Sequence, residues 1–293
     1  MSNLKEIRTR IASVSSTRQI TSAMKMVAAA KLRRAQDAII QLRPYANKLH
    51  EVLANLSSSV EARQENEYGS KVEISNVLIV VMTSNKGLCG AFNSNIVKAA
   101  INLAETKYQK QLSRRKLVFY TIGKKGNDLL KSKKYNIGQS NNVILDHLSF
   151  DNAAKIAESL MKSYIKNEYD VIELVYNQFK NAAVQILTIE QFLPIEIKND
   201  KNQSGIQDDY ILEPSKQYII KKLIPKALKT QLFKCLLDSI TSEHGARMTS
   251  MHQATDNATD MLRELRLNYN KARQSAITNE LIEIVSGAEA LKS

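Results

Sequence analysis

The chain has 293 residues, with 42 Lys and Arg against 29 Asp and Glu and a formal charge of +13. A hydrophobic content of 43% is enough for a core and excludes wholesale disorder. No stretch reaches the ~18 uninterrupted apolar residues of a membrane span, and the charged run from Met1 to Arg10 gives no reason to expect a secretory leader. Cys89 and Cys235 lie far apart and match no metal-ligand spacing, so reduced thiols in a cytosolic-type compartment are expected.

Charge and glycine divide the chain in opposite ways. Residues 1–56 hold ten Lys and Arg against three Asp and Glu, so +7 of the excess sits on the first fifth of the sequence. Seven of the nine glycines fall between Gly69 and Gly205. Glycine punctuates structure, so the ends should be long uninterrupted elements and the middle a turn-rich globule.

The first segment bears this out in its periodicity. Steps of three and four from Leu4 through Ile7, Ile11, Val14 and onward to Leu56 meet an apolar residue at thirteen of sixteen positions. A sustained 3.5-residue repeat of this kind predicts a coiled-coil helix. The polar exceptions Arg18, Thr21 and Lys25 are consecutive in the repeat. Ile20, Met24 and Val27 offer an apolar stripe on the neighbouring face, as a local stutter would require. Pro44 is the only breaker and is read as a kink. About 55 helical residues would span roughly 80 Å.

The middle alternates strand and helix. Val77–Met82 is a buried-strand run, followed by a glycine-bearing loop and a helix from about Ser94 to Gln111. Lys116–Ile122 is the next strand, and Gly123-Lys-Lys-Gly126 leads into a short helix. A helix is expected over Asp151 to Asn167 with Asp151 as N-cap. The β-rich runs Tyr169–Phe179 and Ala182–Phe192 flank a hairpin turn at Lys180-Asn181. This order predicts a doubly wound α/β sheet. Lys198–Asp209 is polar and is expected to be a loop.

A last helix should start near Pro214-Ser215, pass Pro225, and return to 3.5 spacing at Met251, Thr255, Ala258, Leu262, Leu265, Tyr269, Ala272 and Ala276. At roughly 115 Å from Ser215 to Leu291 it would far outreach a small domain. Neither end helix can bury its seam alone, so the economical arrangement winds the two around each other with the α/β domain inserted between them. The division expected is 1–60 and 210–293 for the two helices and 70–205 for the inserted domain.

Three motifs invite chemistry. The loop Thr83-Ser-Asn-Lys-Gly-Leu-Cys-Gly-Ala-Phe-Asn93 follows a strand and precedes a helix, as phosphate loops do, yet it lacks both the Walker and the G-x-G-x-x-G spacing. A structural turn with Cys89 as a buried thiol is the reading adopted. The lysines of Gly123–Gly126 are read as solvated. Glu243, His244 and His252 are assigned to surface or partner contact, because His244 and His252 lie two turns apart, too far to chelate one ion. No residue is assigned a catalytic, cofactor-binding or metal-binding role. The basic face formed by Arg8, Arg10, Arg18, Lys25, Lys31, Arg33 and Arg34 meets few acids, which calls for an acidic partner. Residues 1–40 contain no aromatic stacking platform, so a protein surface is preferred to nucleic acid. A basic nucleic-acid-binding coiled coil is the alternative.

The same residues carry a family resemblance over essentially the whole chain. Ile7-Arg-Thr-Arg-Ile-Ala-Ser-Val14 with Thr17-Arg-Gln-Ile-Thr-Ser-Ala-Met-Lys-Met-Val-Ala-Ala29 resembles the N-terminal signature of F-type ATP synthase gamma subunits. The Thr83–Asn93 loop is similar to that family's S-D-R-G-L-C-G-G-F-N, with Asn85, Lys86 and Ala91 as departures. Asp209-Tyr210 with Glu213-Pro214 and Ile277-Thr-Asn-Glu-Leu-Ile-Glu-Ile-Val-Ser-Gly-Ala-Glu289 resemble its entry into the last helix and its C-terminal signature.

The resemblance implies a non-catalytic rotor shaft. Its antiparallel coiled coil would turn inside a hexamer of alpha and beta subunits, with a Rossmann-like foot near the epsilon subunit and the membrane c-ring. Proton flow through the ring would be coupled to nucleotide chemistry on the beta subunits. The chain would be peripheral to the cytoplasmic face of a bacterial inner membrane, without insertion. Met24, Lys25, Arg33 and Arg34 would face the beta subunits, and Arg273 and Gln274 would hydrogen-bond their loops. Leu281, Ile284, Val285 and Leu291, with Ile282 and Ala288, would form an apolar tip in a sleeve. Tyr210 would lie at the foot. Thiol regulation is not expected, since Cys89 and Cys235 are not a closely spaced pair.

Overall fold

A computed structural model describes residues 4–57, 68–69, 74–195 and 216–290. The expected loop Lys198–Asp209, the start signal at Pro214-Ser215, Tyr210 and Leu291 lie outside the described residues. The elements are α1 (Leu4–Ser57), β1 (Val77–Met82), α2 (Phe92–Thr106), α3 (Gln109–Ser113), β2 (Leu117–Ile122), α4 (Lys124–Ser132), β3 (Ile137–Asn141), α5 (Phe150–Ile165), β4 (Val171–Phe179), β5 (Gln185–Leu193) and α6 (Lys216–Ala290). Pro44 and Pro225 both stand inside their helices. The chain separates into two compact units, one of Met1–Ala28 with Met248–Ser293 and one of Ala29–Arg247.

The larger unit is an α/β fold on a five-stranded sheet of order β3-β2-β1-β4-β5. β1, β2, β3 and β4 run parallel and β5 returns antiparallel along β4. Val77 pairs with both Leu117 and Val171, which places β1 at the centre. All six β1 residues are buried, and such two-sided burial is why the run reads as continuously apolar rather than alternating. Leu78, Val80 and Met82 face one core with Ile156, Leu160 and Tyr164 of α5 and Ile224, Leu228, Leu232 and Leu236 of α6. Val77, Ile79 and Val81 face the other with Phe92, Ile96, Val97 and Ala100 of α2. Each fully buried aliphatic side chain contributes about 1.5–3 kcal/mol, so the two cores dominate this unit's stability.

Several sequence expectations are corrected here. The helix expected over Ser94–Gln111 is two, α2 and α3, separated at Lys107–Tyr108. Tyr108 is only 3% exposed, its ring in the α2 core and its hydroxyl donating to Glu173 at 2.7 Å, so the chain turns to drive it inward. Asp151 is not the N-cap of α5. Ser149 is, in extended conformation with its hydroxyl accepting from the Asn152 amide. β3 was not foreseen because Ile-Gly-Gln-Ser-Asn is a largely exposed edge with no apolar run. The hairpin turn extends over Lys180–Val184, where the Asn181 carboxamide oxygen accepts from the Ala183 and Val184 amides.

The smaller unit pairs the start of α1 with the end of α6. Met251, Ala258 and Leu262 are buried, and Thr255, Leu265, Tyr269, Ala272 and Ala276 are half-buried. Every position of the 3.5-residue series is thus covered, while most intervening positions are exposed. On α1 the buried series is Ile7, Thr21 and Ala28. The expected stutter does not occur. Ile20 and Val27 are 60% and 58% exposed, whereas Thr21 is 9% exposed and keeps its place in the seam. The reason is a polar match: the Thr255 hydroxyl donates to that of Thr21 at 2.9 Å, and the Thr21 hydroxyl donates to Arg18 O at 3.1 Å. Satisfied hydroxyls let two threonines occupy seam positions without a change of register.

Candidate functional site

The smaller unit holds most of the residues singled out for partner contact. Two cross-helix contacts, Arg8 with Tyr269 and Thr21 with Thr255, fix the helices as antiparallel: a step up α1 is a step down α6. The Arg8 guanidinium donates to the Tyr269 hydroxyl at 2.8 Å. That hydrogen bond holds its charge, already permanent, still more firmly. Met24 and Lys25 are half-buried one turn beyond Thr21, and Arg273 and Gln274 are exposed one turn beyond Tyr269. The two groups therefore lie at opposite ends of the pairing, roughly 30 Å apart along the axis, and the fold does not bring them together.

Beyond Ala276 every described residue of α6 is exposed. Ile277, Leu281, Ile282, Ile284 and Val285 are 48%, 57%, 57%, 67% and 58% exposed. Residues at these spacings cover more than one face of a helix, so a single seam could not bury them. An exposed apolar concentration of this kind marks a surface meant to be covered. Arg33 and Arg34, in the larger unit, are exposed. Arg18, Lys25, Arg33 and Arg34 have no ion-pair partner among the described residues, while Arg10 pairs with Glu6 at 2.8 Å. The basic face is electrostatically open.

The loop Thr83–Asn93 is bonded to itself and to the start of α4. The Asn93 carboxamide accepts from the Ser84 amide and donates to the Ser84 hydroxyl and to Cys89 Sγ. The amides that would greet an anion at the start of α4 are already taken: Lys124 N–H by Asn85 Oδ1, Lys125 N–H by Ser84 O, and Gly126 N–H by Thr83 Oγ1. Gly123 has φ +108°, and a Cβ there would stand 2.3 Å from Thr83 O, so the approach of the two loops requires glycine. Cys89 is 1% exposed, and burial pushes its thiol above the ordinary range, the opposite of a nucleophile's need. Both phosphate-loop candidates are structural turns.

Of the residues read as surface or partner contact, Glu243 is buried and His244 half-buried, so neither is a free surface group. Glu243 is 9% exposed and accepts from Arg247 at 2.6 Å; burial raises its carboxyl and Arg247 partly offsets this. Burial, with the charges of Arg247 and Lys31, lowers His244 to about 4. His252 is exposed and pairs with Asp256 at 3.1 Å. Among the described residues no cluster of His, Cys, Asp or Glu could hold a metal ion, and no helix is long and apolar enough to cross a membrane.

Sequence reasoning missed the residues that fasten α6. Arg43 donates to Asp238 Oδ1 at 3.0 Å and to Phe179 O at 2.8 Å, and Arg247 donates to Lys86 O and Gly87 O at 3.0 and 3.3 Å. An Asp inside a long apolar helix run was the only available signal.

Comparison with known proteins follows this geometry. The family described as ATP synthase matches residues 3–291. An ATP synthase gamma chain of Flavobacterium johnsoniae is 57% identical over 292 residues, covering 99% of each chain. The chain belongs to the ATP synthase gamma family. A gamma chain of Cytophaga hutchinsonii is 51% identical over 295 residues and covers all of both. Among solved structures, a central-stalk chain of the Tetrahymena thermophila mitochondrial ATP synthase matches 80% of this chain with TM-score 0.61 and 26% identity, covering 99% of its own length. A rotor chain of the Euglena gracilis mitochondrial ATP synthase shares the fold at TM-score 0.68 and 23% identity, covering 94% of this chain and 98% of its own. Membership of the gamma family supersedes the nucleic-acid alternative.

Proposed function

We propose that this gamma-family chain is the central rotor shaft of an ATP synthase. It couples proton flow through a membrane ring to conformational change in a surrounding alpha/beta hexamer. The observation that carries this is the bare end of α6, whose exposed Ile277–Val285 stretch needs a surrounding apolar surface. It is supported by full-length likeness to gamma chains and by matches to central-stalk and rotor chains.

The chain acts without catalysis of its own. An asymmetric shaft presents different faces to three equivalent sites, and differential contact shifts each toward a different nucleotide affinity. Met24, Lys25, Arg33 and Arg34 meet acidic beta-subunit surface. Arg273 and Gln274 donate to its loops, while Leu281, Ile284, Val285 and Leu291 turn in the apolar sleeve. Tyr210 belongs to the foot, beside the ring and an epsilon subunit. Along the sequence, 1–60 and 210–293 supply the two coiled-coil helices and 70–205 the α/β domain. The complex sits at the cytoplasmic face of a bacterial inner membrane with this chain peripheral to it.

The test is substitution of Met24 by Lys in the whole complex. An added cation between Lys25 and its acidic partners should reduce ATP-driven proton pumping more than ATP hydrolysis. Unchanged coupling removes Met24 from the contact. Failure of the chain to co-purify with alpha and beta subunits from native membranes overturns the rotor reading itself.

A further inference from the structure

In doubly wound sheets a ligand ordinarily binds outside the carboxyl ends of the strands, at the point where strand order reverses. In this sheet that point lies between β1 and β4, since β2 and β3 extend from β1 to one side and β4 and β5 to the other. It is occupied by the chain's own last helix. Residues Leu228, Leu232 and Leu236 of α6 pack in the core on one face of the sheet, and Ala246 packs in the core on the other. Between them α6 crosses the carboxyl edge.

The crossing is unusually polar for a buried helix. Asp238, Thr241 and Ser242 are 0% exposed, Ser239 is 3% and Glu243 is 9%. Three of these side chains bond strand ends. The Ser239 hydroxyl donates to Met82 O, the last residue of β1, at 3.3 Å. The Ser242 hydroxyl donates to Asn177 O of β4 at 2.9 Å. Asp238 Oδ1 accepts from the Phe179 amide at the end of β4 at 3.4 Å and from Arg43 at 3.0 Å. One turn on, Arg247 holds the Lys86 and Gly87 carbonyls of the loop after β1. Gly245 brings α6 so near the hairpin that a Cβ would stand 3.2 Å from Ala182 O.

Apolar packing is non-directional and gives way to a small rotation of a helix at modest cost. Hydrogen bonds to strand ends fixed in a sheet do not, because a turned helix leaves buried donors and acceptors unsatisfied. We propose that the polar run Asp238–Arg247 fills the ligand crevice of this fold as an internal ligand, and that it serves as a torque key fixing the rotational register of α6 on the sheet. This rests on the rotor reading: a shaft driven at its foot must not turn within the foot. The same helix continues beyond Arg247 as the shaft, so the key stands where the helix leaves the larger unit.

The experiment uses the complete ATP synthase reconstituted in vesicles, reading proton pumping and ATP hydrolysis together. The variants are Ser239→Ala and Ser242→Ala, singly and combined, with Leu228→Ala as a control that lowers stability from the same helix without touching a bond. Each lost bond should raise the population of the turned helix about fivefold. The double variant should therefore lose pumping per ATP hydrolysed, most under a large opposing proton gradient, while Leu228→Ala retains it at an equal or lower unfolding temperature. Loss of coupling that merely tracks unfolding temperature across all variants, control included, overturns the key. Full coupling in both serine variants does so too. Should the double variant not assemble, the single variants decide by the same criteria. A wild-type complex that hydrolyses ATP without pumping, or that forms without this chain, refutes the rotor reading instead.

Discussion

From Ile224 to Ala246, helix α6 is covered on several sides and carries buried polar groups, of which Asp238, Ser239, Ser242 and Glu243 meet strand ends or a basic partner. From Met248 to Ala276 it is covered along a single stripe, and from Ile277 to Ala290 it is bare. The two stretches have much the same residue types at their disposal. What differs is the surroundings: a sheet edge lined with carbonyls and amides in the first, one other helix in the second. In a seam between two helices, positional precision comes from repeated apolar spacing. At a sheet edge it comes from directional bonds whose loss leaves buried groups unpaired. The first is legible as periodicity, and the second has no period at all.

Breaking the polar stretch should have the largest effect. Arg43→Met leaves the fully buried Asp238 carboxylate, already raised by burial, without its guanidinium. The expected loss is about 3 kcal/mol, the low end for a broken buried pair because Arg43 partly meets water. Thermal unfolding of the purified chain measures it, and a loss below about 1 kcal/mol would show the pair to be solvated.

The second effect is pH-dependent. Half-buried His244 is lowered to about 4 in the folded chain, against about 6.5 unfolded. Between these values the unfolded state binds a proton that the folded state refuses, so stability is intact above pH ~6.5 and falls toward pH ~4 by roughly 3 kcal/mol. Asp238 and Glu243, both raised, act the other way, since the folded state takes up their protons first. The difference between the pH profiles of the wild type and His244→Gln isolates the histidine contribution, and parallel profiles would remove it.

The seam should respond more gently. Thr21→Val should cost about 1 kcal/mol, but Thr21→Val with Thr255→Val should cost nearly nothing, because matched apolar groups replace a matched polar pair. A double variant as costly as the sum of its singles would show the hydroxyls act separately. Smallest of all, Arg8→Ala should leave the unfolding temperature unchanged within measurement error, since its bond to Tyr269 lies at an exposed position where screening leaves little. Together these would rank the sheet edge above the helix seam as the place where α6 is held.

Much of the fold could be read directly. The 3.5-residue series from Met251 to Ala276 is the covered face of α6, and Val77–Met82 is the central strand with the bounds its composition predicts. Where the reading failed, a tertiary partner had overridden a local preference. Ile20 and Val27 looked like seam residues because they are apolar, yet the seam runs through Thr21, whose hydroxyl is matched by one 234 residues away. Glu243 and His244 looked like surface because they are polar, yet they lie under Arg247 and Lys31.

The sequence by itself determined the two long helices, the alternating middle, the family and the concentration of positive charge on the first helix. Each of these is written in neighbouring residues, through periodicity, punctuation or motif. Only the tertiary structure decided that the amides at the start of α4 are already taken and that the seam tolerates two threonines. It also decided that the carboxyl edge of the sheet is filled by the chain's own helix. Those outcomes depend on which donors and acceptors meet across 39 to 234 positions of sequence, and hydrogen-bond satisfaction at such distances leaves no local trace.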